Sequence, residues 1–317
     1  MLAEKAIADY TDFRIPGIVA TESGTLVRYC ECRRSESDWA DIDIKLSRSE
    51  DGGMHWETVL LIESNGNTLN NPVMFVDGAR LLLLYCKNYK EIWKRVSTDD
   101  GKSFDDAVRV HFEDSVDFFY NVVALGPGHG ILHNGRLLIP AWFAFNKEKE
   151  KSHHPSFVTT FFSDDRGESW RLGEPIFRDR LYDGSECALA VTAEDELLIS
   201  IRHMGNPRTR GLATSTDGIS GWRELRFEEN LPDPICMGSM THRDGRIYHT
   251  NCDSTTERKN LTLKISDDGF RTCRSILISE KGGYSDLALL GDRICIFYEE
   301  NDERGAFELH FKVITES

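Results

Sequence analysis

Three aspartates stand close together in the segment RRSESDWADIDIKLSRS: Asp38, Asp41 and Asp43. A carboxyl group can give a proton and take one back, the two acts of general acid–base catalysis. In a strand, Asp41 and Asp43 share a face, whereas Asp38 falls in the loop before it. A loop at a strand entrance suits an acid near solvent; a turn cap is the alternative use of the same residue. Other reactive types point away from chemistry. His153-His154 lies in a charged, loop-like stretch with no matching ligand set, so no metal is expected. Gly126-Pro127-Gly128-His129-Gly130 resembles a phosphate loop superficially, but no helical pattern follows it, and a turn is the expectation. The eight cysteines (30, 32, 86, 187, 236, 252, 273 and 295) sit mostly in apolar runs without metal spacing and read as buried free thiols.

The elements that position such residues are strands. The chain has 317 residues, 40% hydrophobic and 29% charged, enough apolar material for a large core. Its net charge of −15 should repel nucleic acid and anionic membrane surfaces. The segment Met1 to Tyr10 is partly acidic and lacks an apolar core of signal-peptide length, and Leu81 to Tyr85 is a short strand rather than a span. The expectation is a cytoplasmic protein, with a removed segment left open. Oligomeric state is not legible.

A repeat organises the chain. The pattern Ser-x-Asp-x-Gly-x-x-aromatic is complete at Ser49/Asp51/Gly53/Trp56, Ser97/Asp99/Gly101/Phe104 and Ser163/Asp165/Gly167/Trp170. Altered copies follow at Ser215/Asp217/Gly218/Trp222 and at Ser266/Asp268/Gly269, with Cys273 in the aromatic slot. The serines are 48, 66, 52 and 51 residues apart, the length of one four-stranded blade. Ser and Asp bond turn backbone, Gly takes positive φ, and the aromatic covers the turn. These turns speak for fold and not for chemistry. The expected fold is all-β, a six-bladed β-propeller of four-stranded antiparallel blades, with residues 1–317 as one propeller domain. Residues 281–313 and the N-terminal strand should close the ring.

Phe13-Arg14-Ile15-Pro16, followed by these boxes at blade spacing, resembles the sialidase family from residue 13 to about residue 300. The resemblance implies an active site on the central axis and a retaining exo-glycosidase with a tyrosine nucleophile. By motif context, Arg14, Arg202 in SIRHMGNPR and Arg258 in DSTTERKNLTLKIS are similar to the three carboxylate-binding arginines. Asp38 matches the acid/base, ahead of its rivals Asp41 and Asp43, and Arg33 a sugar-contacting arginine. Glu186 in DGSECALAV matches the partner of the nucleophile, and Tyr284 in GGYSDLALL the nucleophile itself. Glu299 in CIFYEE matches the residue that holds the first arginine, and Asn71 in NNPVMF lies close to a ring-hydroxyl contact. The segment NVVALGPGHGILHNGRLLIP also resembles a family segment of the middle blades. The pocket for the acylamino group is not defined by motif.

The implied substrate explains these types. A sialoside carries a carboxylate on its anomeric carbon, and three guanidiniums match that group in shape and sign. They also supply the local positive field that a −15 surface lacks. A carboxylate nucleophile would be repelled by the substrate; a neutral phenol approaches freely and is deprotonated as it attacks. The expected partner is a sialylated glycan, with no cofactor and no metal. Two alternatives use the same residues. One is a glycoside of deaminated sialic acid or of keto-deoxyoctonic acid; the other is a non-catalytic glycan-binding propeller.

Overall fold

The computed structural model describes residues 10–114, 117–301, 303 and 305–316. Of the N-terminal segment only Tyr10 falls among them. Its described strands form six sheets that follow one another along the chain, as the repeat requires. Blade 1 is Asp12–Ala20, Leu26–Arg33, Ile42–Ser49 and Glu57–Ile62. Blade 2 is Leu69–Asp77, Arg80–Lys87, Glu91–Ser97 and Val108–Arg109. Blade 3 is built on Arg136–Ala144, Ser156–Ser163 and Ser169–Leu172. Blades 4 and 5 are Cys187–Val191, Leu197–Ile201, Thr209–Ser215, Arg223–Pro232, and Ser239–Arg243, Arg246–Cys252, Lys259–Ser266, Arg274–Lys281. Blade 6 is Ser285–Leu290, Arg293–Asn301 and Phe307–Thr315. No helix of the described residues is long and apolar enough to cross a membrane.

Burial explains the sequence pattern. The second strand of blade 2, RLLLLYCK, is covered on both faces by neighbouring blades and so reads as a continuous apolar run. The outer strand of blade 5, RSILISEK, is largely exposed. The core is correspondingly divided into wedges. One buried cluster fills each blade interface: Val27 with Leu81, Phe75 with Leu137, Leu138 with Leu189, Leu198 with Met240, Leu261 with Leu287, and Ile18 with Phe297.

The N-terminal strand Asp12–Ala20 pairs with Leu26–Arg33 as the inner strand of blade 1. It closes the ring against the last blade, as expected: Ile18 N–H donates to Asp286 at 2.9 Å and Phe307 N–H to Asp12 at 3.0 Å. Two features differ from the sequence expectation. The glycine-rich segment is more than a turn. It interrupts the inner strand of blade 3, Val122–Leu125 and Ile131–His133, and Gly128–His129 pairs in parallel with Val73 and Met74 of blade 2. The fifth box is also read differently in space. Phe270 N–H donates to Ser266 Oγ at 2.8 Å, as Gly53 N–H does to Ser49 Oγ at 2.9 Å, so Phe270 itself takes the positive-φ position (φ 72°). A bulky residue is strained there; complete burial of its ring between blades 4 and 5 offsets the strain. All eight cysteines are free, and seven are buried.

Candidate active site

Antiparallel pairing sorts the loops. Where the inner strand of a blade begins, its second strand ends and its third begins, so these points lie on one face of the ring. The box turns join third to fourth strands and lie on the opposite face. Arg14 and Asn71 stand near the starts of the inner strands of blades 1 and 2; Glu186 and Tyr284 directly precede those of blades 4 and 6. Arg33 ends the second strand of blade 1, and Arg202 follows that of blade 4. Asp38 and Arg258 sit in loops between second and third strands. Local backbone helps to aim two of them. The ladder slips between Arg14 and Gly17 and between Asn70 and Val73, with Ile15 (φ 55°) and Asn71 (φ 49°) in the left-handed region.

These eight side chains, drawn from five blades, line one cleft. Glu299, the ninth, is fully buried beneath it. Tyr284 Oη donates to Glu186 Oε1 at 2.5 Å, and Arg202 Nη1 donates to Tyr284 Oη at 2.8 Å and also to Glu186 Oε2. The guanidiniums of Arg14 and Arg258 stand 5.1 and 5.3 Å from the centre of the Tyr284 ring. Burial, and next the Glu186 carboxylate, push the Tyr284 phenol far above its usual range; Arg202, Arg258 and Arg14 pull the other way and lose. The phenol is therefore protonated, and its proton is held against a carboxylate. The three arginines favour phenolate but do not outweigh burial and Glu186.

Glu299 organises one wall. Its two oxygens accept from Arg14 Nε and Nη2, both at 3.2 Å, and from the backbone N–H groups of Ile15 at 2.8 Å and Tyr284 at 3.2 Å. Arg14 is thereby fixed from behind. Arg258 differs: it is exposed, and among the described residues no carboxylate pairs with it. Arg202 is held from one side only, and its Nε has no partner among the described residues.

Arg33 organises the opposite wall. Its Nε and Nη2 donate to Glu31 Oε2 at 2.8 and 2.5 Å, and Nη1 donates to Asp38 Oδ1 at 2.7 Å. Burial pushes the Asp38 carboxyl up, but Arg33 outweighs it and holds the group below the usual carboxylate range. The rivals face elsewhere: Asp41 meets Ser64, and Asp43 takes Tyr10 Oη at 2.5 Å and Arg34 at 2.8 Å. Asn71 spends its side-chain N–H on the Leu125 carbonyl at 3.0 Å and its backbone N–H on Glu31 at 2.8 Å.

Sequence reasoning missed Glu31, Tyr89, Trp142, Ser185 and the histidine pair. Tyr89, Trp142, Ser185, His153 and His154 all line the cleft. A carboxylate buried between Cys30 and Cys32 was a readable signal for Glu31. The histidines carried none, because only folding brings their loop in blade 3 beside Asp38. Among the described residues no cluster of His, Cys, Asp and Glu could hold a metal ion.

Comparison with known proteins decides the family. Residues 24–296 match the BNR repeat-like domain. The chain belongs to the BNR repeat-like family. It is similar to the sialidase of Bacteroides fragilis (26% identity, covering 93% of this chain and 61% of that protein). It is also similar to the exo-alpha-sialidase of Arthroderma benhamiae (24% identity, 89% of this chain and 76% of that protein). Among solved structures, the Hadza microbial sialidase Hz136 superposes with a TM-score of 0.82 at 23% identity, over 97% of this chain and 66% of that one. The chain thus spans about six-tenths of the length of the first relative. The sialidase resemblance drawn from Phe13–Pro16 and the boxes is matched by these relatives. As a BNR repeat-like protein it carries its repeated turns on one face and the Tyr284–Glu186 pair on the other.

Proposed function

We propose that this protein is an exo-α-sialidase that hydrolyses a terminal α-linked sialic acid with retention. The observation that carries the reading is the Tyr284–Glu186 contact of 2.5 Å, set among Arg14, Arg202 and Arg258 and sharing a cleft with Asp38. The relatives named sialidase support the same reading.

The substrate carboxylate would sit among the three guanidiniums, each charge-assisted bond contributing about 1.5–3 kcal/mol. In the first step Tyr284 Oη forms a bond to the anomeric carbon while the bond to the leaving oxygen breaks. Glu186 takes the phenolic proton, and protonated Asp38 gives its proton to the leaving oxygen. In the second step Asp38, now a carboxylate, takes a proton from water. The water oxygen bonds to the anomeric carbon, and Tyr284 leaves and recovers its proton from Glu186. Two displacements restore the original configuration.

The test is a set of α-linked glycosides of N-acetylneuraminic acid, its deaminated form and keto-deoxyoctonic acid, with proton NMR of the first sugar released. Release of the α-anomer from the first of these is expected. First appearance of the β-anomer rejects double displacement. Binding without release from any of the three favours a glycan-binding propeller.

A further inference from the structure

The two oxygens of Asp38 are treated differently. Oδ1 is taken by Arg33, whereas Oδ2 faces His153 Nδ1 at 4.0 Å. His153 belongs to the loop between the second and third strands of blade 3, the loop that sequence alone leaves without a role. It is wedged among three aromatic rings. Trp39, the residue after Asp38, stacks on it (centroids 5.3 Å, 28°), and Tyr89 and Trp142 meet it edge-on at 5.2 and 5.4 Å.

The charged groups around this ring are Asp38, Glu186, His154 and Arg202. His154 is itself turned to Asp183, 3.6 Å away. Burial pushes the His153 imidazole below its usual range despite the two carboxylates, so at neutral pH it carries one N–H. The tautomer with that hydrogen on Nδ1 is the one that suits a carboxylate oxygen. Nε2 is then an acceptor in an aromatic wall, and it has no partner among the described residues. A gap of 4.0 Å is too long for a hydrogen bond. Catalytic contacts of this kind commonly tighten when substrate is bound.

We propose that His153 is a positioning residue for Asp38. Its stack with Trp39 fixes the loop that carries the acid, and its Nδ1–H donates to Oδ2 as that oxygen loses its proton to the leaving group. Asp38 then ends the step as a carboxylate gripped on both oxygens, by Arg33 and by His153. His153 gives up no proton. The assignment rests on the proposed hydrolysis with Asp38 as acid.

Leaving-group dependence tests it, because a merely structural defect slows all substrates alike. His153→Phe keeps a ring for Trp39 and removes the N–H. Two substrates are compared at neutral pH: a sialoside of a sugar, whose leaving oxygen needs a proton, and a nitrophenyl sialoside, which leaves without one. In the variant kcat/KM on the sugar aglycone should fall by about 10- to 100-fold, and on the nitrophenyl substrate by no more than about threefold. Equal losses on both, or no loss, overturn the assignment while leaving the hydrolysis standing. No release of nitrophenol by the unaltered protein rejects the hydrolysis itself, and the His153 role with it. If thermal melting shows that His153→Phe does not fold, His153→Ala is read by the same ratio.

Discussion

Glu299 grips Arg14 with both carboxylate oxygens, at 3.2 Å each, and binds the backbone N–H of Tyr284 with one of them. A cation of blade 1 and the phenol of blade 6 are therefore located by one buried anion. Glu299→Ala should raise KM for an acid-sugar glycoside and also lower kcat, because both groups lose their support. Breaking so buried a pair typically costs about 3–5 kcal/mol of stability. Urea unfolding and steady-state kinetics measure the two effects. A variant with unchanged KM would show that Arg14 is held without Glu299.

Arg258 should behave in the opposite way. It is exposed and has no carboxylate partner among the described residues, so Arg258→Met should alter stability by no more than about 0.5 kcal/mol. Loss of one charge-assisted bond of about 1.5–3 kcal/mol corresponds to roughly 10- to 100-fold weaker binding of the free sugar acid. Calorimetric titration gives the affinity. Unaltered affinity would remove Arg258 from the carboxylate site.

The depressed Asp38 carboxyl sets the direction of the pH response. Only its protonated form can assist the leaving group, and Arg33 favours the ionised form. With a sugar aglycone, kcat/KM should fall about tenfold per pH unit above the Asp38 pKa. Glu31 neutralises much of Arg33, so Glu31→Gln should strengthen the hold of Arg33 on Asp38 and move this limb to lower pH. The stability term has the opposite sense. A depressed carboxyl stabilises the fold above its unfolded pKa of about 3.9, and that contribution is lost as pH falls through the lower folded value. A limb that stays in place in Glu31→Gln would argue that Arg33 does not set the acid.

Trp170 tests the separation of fold from chemistry. Its ring is 1% exposed in the wedge between blades 2 and 3, and its indole N–H donates to Gly167 O at 3.2 Å. Trp170→Ala should cost about 3–5 kcal/mol in urea unfolding. Below its lowered melting temperature kcat/KM should be unchanged, because the box turns face away from the cleft. A fall in kcat/KM without loss of stability would contradict that separation.

The box turns were legible because their chemistry is local: Ser163, Asp165 and Gly167 bond one another within five residues. Motif context picked out nine candidate residues, and the structure gathers eight of them around the cleft with Glu299 below. What sequence could not supply was loop approach. Tyr89, Trp142 and His153 come from two different blades, and nothing in their neighbours signals that they meet beside Asp38. Sequence left open which blade Asp12–Ala20 joins, because its apolar pattern fits either side of the seam; its pairing with Leu26–Arg33 decides.

The Arg14–Glu299 contact also has a temporal meaning. It joins the first blade to the last, and Tyr284 lies in that last blade as well. As a ribosome makes this chain, five blades emerge before Tyr284 does, and Arg14 waits unsupported until Glu299 arrives. Under the proposed hydrolysis, a partial product lacking the last blade would lack Tyr284 and Glu299 together, so turnover would itself report a closed ring. Trimming of the final blade by a protease would then silence such turnover at once rather than weaken it.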